Sequence, residues 1–523
     1  MYYYFQLSCV LGFLVTCAWK TLDFIWFQPR KLEKQLRSQG LPGNSYRPII
    51  GDLREYTKMI KEAESNMSGI GRSSDNGDDI HPGIVSRFIF ETAKKYGTDC
   101  FIWFGSRPVI IIKDPKLMKE IFLKPNHFHK ANFIDPLKSL LVGLIAVEGE
   151  KWIKHRRLIK PSFQLEKIKL MLPAFRLSTE EMLATWEESL SPQGSCDLDV
   201  WPSLLTLTSD AISRTAFGTN YEEGRNVFEL QREQASYVIT TIRSLSFPGL
   251  RFLPTKKNRR INEIEKVVRI KIRDIIDKRL KARKLGEDYV DKDDLLGILL
   301  ESNAKEIKQK NGLTIEDVIE ECKHFYLAGQ ETTSILLVWT LILLSRHQDW
   351  QSRARDEVFQ VFGRKQIDFD GLNQLKVVTM IFAEVLRLYP SVPVLMRETR
   401  EERKLGEFKI PAGVLLSLQV WMLHRDFEVW GDDAEEFKPE RFRDGISSTL
   451  TTKDMSQLVA FVPFGWGPRI CIGQNFAMIE AKLTLAMILQ RFTFHLSPSY
   501  EHEPQTLITQ QPQHGANLIL HKL

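Results

Sequence analysis

Phe464-Gly465-Trp466-Gly467-Pro468-Arg469-Ile470-Cys471-Ile472-Gly473 sets three glycines, a proline and an arginine around a single cysteine, and a long helical pattern, Asn475 to Gln490, begins just behind it. A thiol at the start of a helix lies at the positive end of the macrodipole, close to backbone N–H groups that the helix leaves unpaired. Both features favour thiolate, the form that ligates a metal. The glycines let backbone come close to something large and flat. No other Cys or His stands at zinc-ligand spacing from Cys471, so a zinc site fails for lack of partners. A lone thiolate fits haem iron, where a proximal Cys pushes electron density toward O–O cleavage. A free Cys taken alone is most often a small buried hydrophobe. Its ten-residue setting reverses that reading here.

Upstream, Thr314 with Asp317 three residues on forms a capping box, with Asp in place of Glu, and predicts a helix running to about Arg346. Over ~30 residues, or ~45 Å, that helix would cross the whole molecule. Gly329 in its middle costs ~1 kcal/mol relative to Ala, which asks for a reason. The candidates are a flat ligand against the backbone, or a kink opened by Thr332 bonding back to a carbonyl. Beside it, Glu331 and Thr332 form an acid and an alcohol among apolar neighbours. Glu384 and Arg387 are i and i+3 on one helix face, so an ion pair is geometrically easy. Trp152 and Arg156 are i and i+4, again on one face. Arg156 lies in a basic run with Lys151, Lys154 and Arg157, part of which suits an acidic electron donor. Apolar residues at helical spacing also mark Leu158 to Trp186 and Asn258 to Leu285. Short β-patterned runs stand at Asp99 to Ile112 and Leu405 to Gln419.

The chain has 523 residues with 43 % hydrophobic and 26 % charged side chains, which excludes wholesale disorder. A mean hydropathy of −0.22 excludes a polytopic membrane protein. A net charge of +6 is too mild over this length to argue for nucleic acid. Six cysteines without CxxC spacing do not make a disulfide scaffold and favour a reduced compartment. Tyr2 to Trp19 carries no charge and is followed by Lys20, then Trp26, Phe27, Arg30 and Lys31. Positive charge after the apolar run, with aromatics at its end, predicts a retained single-pass anchor whose cytosolic side begins after Lys20. The expected organisation is an anchor helix over 1–27, a basic, proline-rich hinge over 28–51 and a catalytic domain over 52–523. Asn66 to Asp79 reads as a surface loop, and its sequon Asn66-Met67-Ser68 would stay unmodified in that orientation.

Phe464 to Gly473 resembles the haem-ligand signature FxxGxRxCxG of the cytochrome P-450 family, complete at every position. Ala328-Gly329-Gln330-Glu331-Thr332-Thr333 is similar to the family's oxygen-binding stretch. Glu384 to Arg387 matches ExxR, Pro439 to Phe442 matches PERF, and Trp152 to Arg156 matches WxxxR. Trp201 to Glu223, Ser345 to Gly363 and Gly465 to Gln490 resemble the plant seventy-two family, the branch of secologanin synthase and triterpenoid oxidases. The resemblance implies a mainly α fold with small β-sheets, preceded by a transmembrane helix. It implies haem b with Cys471 as axial iron ligand, and cofactor contacts from Ala328, Gly329, Phe464 and Gly473. Trp152, Arg156, Arg397 and Arg469 would bind the haem propionates. Glu331 and Thr332 would deliver protons during dioxygen reduction. Glu384, Arg387 and Arg441 would form a structural network. The implied reaction is RH + O2 + two electrons + two protons → ROH + H2O in the endoplasmic reticulum membrane. Electrons would come from NADPH through a separate cytochrome reductase, since the chain has no GxGxxG after a strand. The rivals are a haem-thiolate isomerase or dehydratase, and a haem-binding sensor. The expected substrate is a lipophilic plant terpenoid, best an oleanane-type triterpenoid; a gibberellin or loganin-like iridoid would want a pocket cation, for which Lys138 is the candidate. Ser391 departs from the proline many relatives carry there.

Overall fold

A computed structural model describes residues 2–59, 84–97, 99–131, 135–218, 221–243, 255–285, 294–308, 312–445, 459–506 and 508–523. The Asn66 sequon and the loop to Asp79 lie outside these residues.

Among the described residues two helices are long and apolar enough to cross a membrane, and their surroundings separate them. Helix α1 (Tyr2–Leu22) passes through a π-helical turn at Asp23–Phe27 into α2 (Gln28–Arg37). None of its apolar window is buried, and Val10, Leu11, Phe13 and Leu14 face outward. Residues over 28–51, expected as a basic, proline-rich hinge, pack against the rest of the chain. Leu36 and Leu41 are buried, and Gly43 and Gly51 bridge Phe101 and Phe104. A side chain on Gly43 would lie 2.8 Å from the Phe101 ring, so only glycine permits that approach.

The catalytic body follows. Helix α3 (Gly149–Ile159) ends in a 3-10 turn, Lys160–Phe163, before α4 (Leu165–Glu188). The apolar pattern from Leu158 to Trp186 thus spans two elements. Pro161 breaks it, because proline cannot donate to the preceding turn. Then come α5 (Val200–Phe217), α6 (Tyr221–Arg243), α7 (Ile315–Arg346), α8 (Lys376–Leu388) and α9 (Gln474–Arg491). The expected capping box starts α7: Asp317 N–H donates to Thr314 Oγ1 at 3.1 Å, and Thr314 N–H to Asp317 Oδ2 at 3.1 Å. With 32 residues α7 is ~48 Å long, and it runs through the largest apolar cluster against α5, α8 and α9.

A five-stranded sheet, β1 (Phe101–Phe104), β2 (Arg107–Ile112), β3 (His129–Lys130), β4 (Val394–Glu398) and β5 (Leu415–Gln419), has the order β1-β2-β5-β4-β3. Only β2 and β5 pair in parallel, so the chain between them is a long crossover that carries most of the helices. Near the C-terminus a hairpin pairs β6 (Pro504–Thr506) with β7 (Gln510–Pro512) in antiparallel register. The fold is mainly α with small sheets, as expected.

Candidate active site

The cysteine loop is held by backbone. Cys471 N–H donates to Phe464 O at 2.9 Å, and Gly473 is the N-cap of α9. Gly467 has φ +73°, and a Cβ there would stand 3.0 Å from Phe122 O, so position and conformation both call for glycine. Burial pushes the Cys471 thiol up; the Gly473 N–H and the charge of Arg156 pull it down. The helix start alone does not win that contest. A bound cation decides it, because a coordinating thiol is deprotonated by the metal.

Around the loop the fold gathers cations. Arg469 lies 4.6 Å from the centre of the Trp152 ring and Arg156 lies 5.9 Å from it. Register places Lys130 of β3 directly opposite Arg397 of β4, an arrangement that like charges destabilise. Burial lowers Lys130 well below the ordinary lysine range, and Arg397 and Arg469 lower it further. Burial and the charge of Arg469 bring Arg397 down to about 10. Glu148 is the carboxylate set among them: Oε1 accepts from Lys130 N–H at 2.9 Å and pairs with Arg469 at 3.0 Å. Three desolvated cations against one carboxylate make a site that favours an anion of more than one charge. The two propionates of haem fit that donor set. Trp152, Arg156, Arg397 and Arg469 are therefore brought together as expected. Lys130 and Glu148 carry no motif and were missed.

The middle of α7 faces the other side. Thr332 Oγ1 donates back to Ala328 O at 2.8 Å, as expected. Neighbouring carbonyls also accept hydroxyls: Gln330 O from Thr208 at 2.8 Å, Glu331 O from Ser334 at 2.9 Å, and Thr332 O from Ser391 at 3.0 Å. Gly329 also meets a neighbouring helix. A Cβ there would lie 2.8 Å from Ile212 Cδ1, so its missing side chain lets α5 approach. The acid and alcohol also do not bond to each other. Glu331 Oε1 accepts from Thr509 Oγ1 at 2.7 Å and from Gln511 Nε2. Burial pushes the Glu331 carboxyl up, while Thr509, Gln511 and the charge of Arg232 oppose that.

Glu384 and Arg387 are fully buried and form a bidentate pair, Nε to Oε2 at 2.7 Å and Nη2 to Oε1 at 2.8 Å. Arg387 also donates to His424 O at 2.8 Å and Glu436 O at 3.0 Å. Arg441 is a looser third member. It stands 3.5 Å from Glu384 and is held instead by Trp430 O at 3.0 Å and by Asp433.

The family model described as Cytochrome P450 matches residues 79–516. Cytochrome P450 CYP72A219 of Panax ginseng is 53 % identical over 519 residues, covering 98 % of each chain. Cytochrome P450 72A15 of Arabidopsis thaliana is 50 % identical, covering 99 % of this chain and 98 % of its own. A 7-deoxyloganic acid hydroxylase of Catharanthus roseus is 49 % identical, covering 97 % and 96 %. Among solved structures, retinoic acid-bound cyanobacterial CYP120A1 superposes with a TM-score of 0.74 at 23 % identity, over 92 % of this chain and 99 % of its own.

Proposed function

We propose, for a chain that belongs to the cytochrome P450 family and to its plant CYP72A branch, that the substrate of this monooxygenase is a large apolar terpenoid, best an oleanane-type triterpenoid. Haem held through a cysteine thiolate is the cofactor of the family and supplies the centre where dioxygen is reduced, one atom entering the substrate and the other leaving as water. In this chain Cys471 is the residue to hold the iron. Arg397, Arg469, Arg156 and Trp152 hold the propionates, Glu331 and Thr332 manage protons, and Glu384, Arg387 and Arg441 brace the fold.

The observation that carries the substrate reading is a small apolar cluster beside Ala328–Thr332. Leu137, Leu140 and Val238 are buried in it, with Leu141, Ala235, Leu327 and Ile508 packed against them. Four segments distant in sequence contribute, and each offers hydrocarbon. An apolar pocket built beside such a cluster would bind by burying apolar area, at ~25 cal/mol per Å2, with few polar groups to orient the ligand. A second reading has its own support. The Catharanthus relative is named for an iridoid acid, and Arg232 places positive charge near Glu331. Lys138 is exposed.

Electrons come from NADPH through a separate reductase in this reading, and α1 is a single pass in the endoplasmic reticulum membrane with the remainder cytosolic. The exposed apolar surface of α1 supports the anchor. Spectral titration tests the substrate. A low-spin to high-spin shift with β-amyrin-derived alcohols or acids, and none with 7-deoxyloganic acid or gibberellins, is the expected result. The reverse pattern overturns the triterpenoid and leaves the acid reading.

A further inference from the structure

Residues 508 to 511 link the substrate side of the site to its acid. Ile508 belongs to the apolar cluster with Leu137, Leu140, Val238 and Leu327. The next residue, Thr509, donates to Glu331 Oε1 at 2.7 Å, and Gln511 Nε2 reaches the same oxygen and Thr509 Oγ1, the latter at 3.2 Å. Gln510 between them points the other way: its N–H donates to Ser391 O at 3.2 Å and its carbonyl accepts Trp339 Nε1 at 2.8 Å. Trp339 stacks on Tyr389 with ring centroids 4.2 Å apart. The hairpin is thus bolted to α7 through Gln510, and its alternate side chains grip the carboxylate. Both side-chain hydrogen bonds to this carboxylate fall on Oε1, and Oε2 takes none among the described residues.

We infer that Thr509 and Gln511 are positioning residues for Glu331: they fix one carboxylate oxygen to the hairpin and leave the other without a side-chain donor among the described residues, from the same loop whose Ile508 packs on the apolar cluster. Two donors on one oxygen restrict rotation about the last side-chain bond, a torsion that is otherwise broad. They also favour the ionised form. The charged group facing this carboxylate from the helix packed opposite is Arg232 on α6. A ligand that presses on Ile508 therefore acts on the acid through two short contacts. The inference rests on the reading of Glu331 as a proton-handling group, and the experiment separates the two.

Full-length protein with haem, in lipid nanodiscs with a plant reductase and without added substrate, is compared as wild type, Glu331→Gln, Thr509→Val/Gln511→Leu and Thr509→Ser. Two quantities are read: the infrared carboxyl band lost in Glu331→Gln, followed against pH, and the share of NADPH electrons released as peroxide. In the double variant the band should titrate higher by about one to two pH units, because two hydrogen bonds to the ionised form are gone. Its peroxide share should change at least two-fold, with the reduced-CO spectrum intact. Thr509→Ser should behave as wild type, and Gln511→Leu alone should show a smaller shift if the double variant loses haem. An unmoved band and peroxide share in Thr509→Val/Gln511→Leu, where Glu331→Gln does alter the share, overturn the positioning role and leave the acid's role standing. A wild-type share in Glu331→Gln removes Glu331 from proton handling, and the inference falls with it.

Discussion

The two sides of the site are built on different principles. On the cysteine side, ten consecutive residues carry the candidate ligand, its glycines and one of its arginines, and backbone bonds close the loop on itself. On the α7 side, no stretch is sufficient. Glu331 is held from residues 509 and 511, Thr332 is capped from residue 391, and Gly329 is shaped by residue 212. A loop whose backbone bonds are local can be specified by one stretch of sequence, even where Gly467 and Arg469 also meet Phe122 and Glu148. A helix whose chemistry is set by remote side chains cannot, and this is where relatives with one reaction can diverge in substrate.

The sharpest break of the comparison is Cys471→Ala. All ligation from this side passes through one sulfur, so the long-wavelength Soret band of the reduced, CO-bound protein should disappear completely. A retained band would move the iron ligand elsewhere and end the contrast. Next in size is Arg387→Met, which leaves Glu384 fully buried without its bidentate partner. Breaking a buried pair from one side costs ~3–5 kcal/mol, and Arg441, held by Trp430 O and Asp433, is not placed to replace a bidentate partner. Thermal unfolding and haem content should both fall steeply; a variant within ~1 kcal/mol of wild type would show that Arg441 substitutes after all.

How much of this was legible in the sequence follows the same divide. Cys471, Glu384 with Arg387, and Trp152 with Arg156 sit at fixed short spacings, so periodicity alone puts each set on one loop or one helix face. The capping box at Thr314 was equally local, and the structure keeps it. Lys130 was not legible, because β3 has two residues and its partner on β4 is set by register across a crossover of more than 250 positions. Thr509 and Gln511 form an unremarkable polar pair until the hairpin folds over α7. Gly329 was flagged correctly as costly in a helix, but the cause, Ile212 on α5, is a tertiary contact that no spacing along α7 reveals. The break at Pro161 was readable and was smoothed over by an apolar pattern that continues on both sides of it.

The cation cluster around the cysteine loop yields an effect whose sign depends on the cofactor. Arg397→Met removes a charge opposite Lys130, so the protein stripped of haem should be no less stable, or more so. The loaded protein should instead lose a charge-assisted hydrogen bond worth ~1.5–3 kcal/mol, about 10- to 100-fold in haem retention. Haem transfer to an acceptor apoprotein measures the second effect and thermal scans of the stripped protein the first. A variant that is destabilised in both forms would mean Arg397 is ordinary scaffold.

The smallest expected effect is at Ser391, and it sharpens the contrast because this residue touches only the α7 side. Its hydroxyl donates to Thr332 O at 3.0 Å while its carbonyl accepts Gln510 N–H at 3.2 Å, so it joins the helix to the hairpin. Ser391→Ala removes the first bond and keeps the second. Thr332 O lies inside a continuous helix, so the loss is that of one neutral hydrogen bond, ~0.5–1.5 kcal/mol. Reduced-CO spectra and haem retention should be unchanged, because nothing on the cysteine side depends on it. The share of electrons lost as peroxide should rise modestly, by less than the change in Thr332→Ala, since the hydroxyl of Thr332 keeps its own bond to Ala328 O. Ser391→Thr should restore the wild-type share by supplying the same donor. A loss of haem in Ser391→Ala would show that the two sides are mechanically coupled through this segment, and the division between a self-contained loop and a remotely set helix would have to be given up.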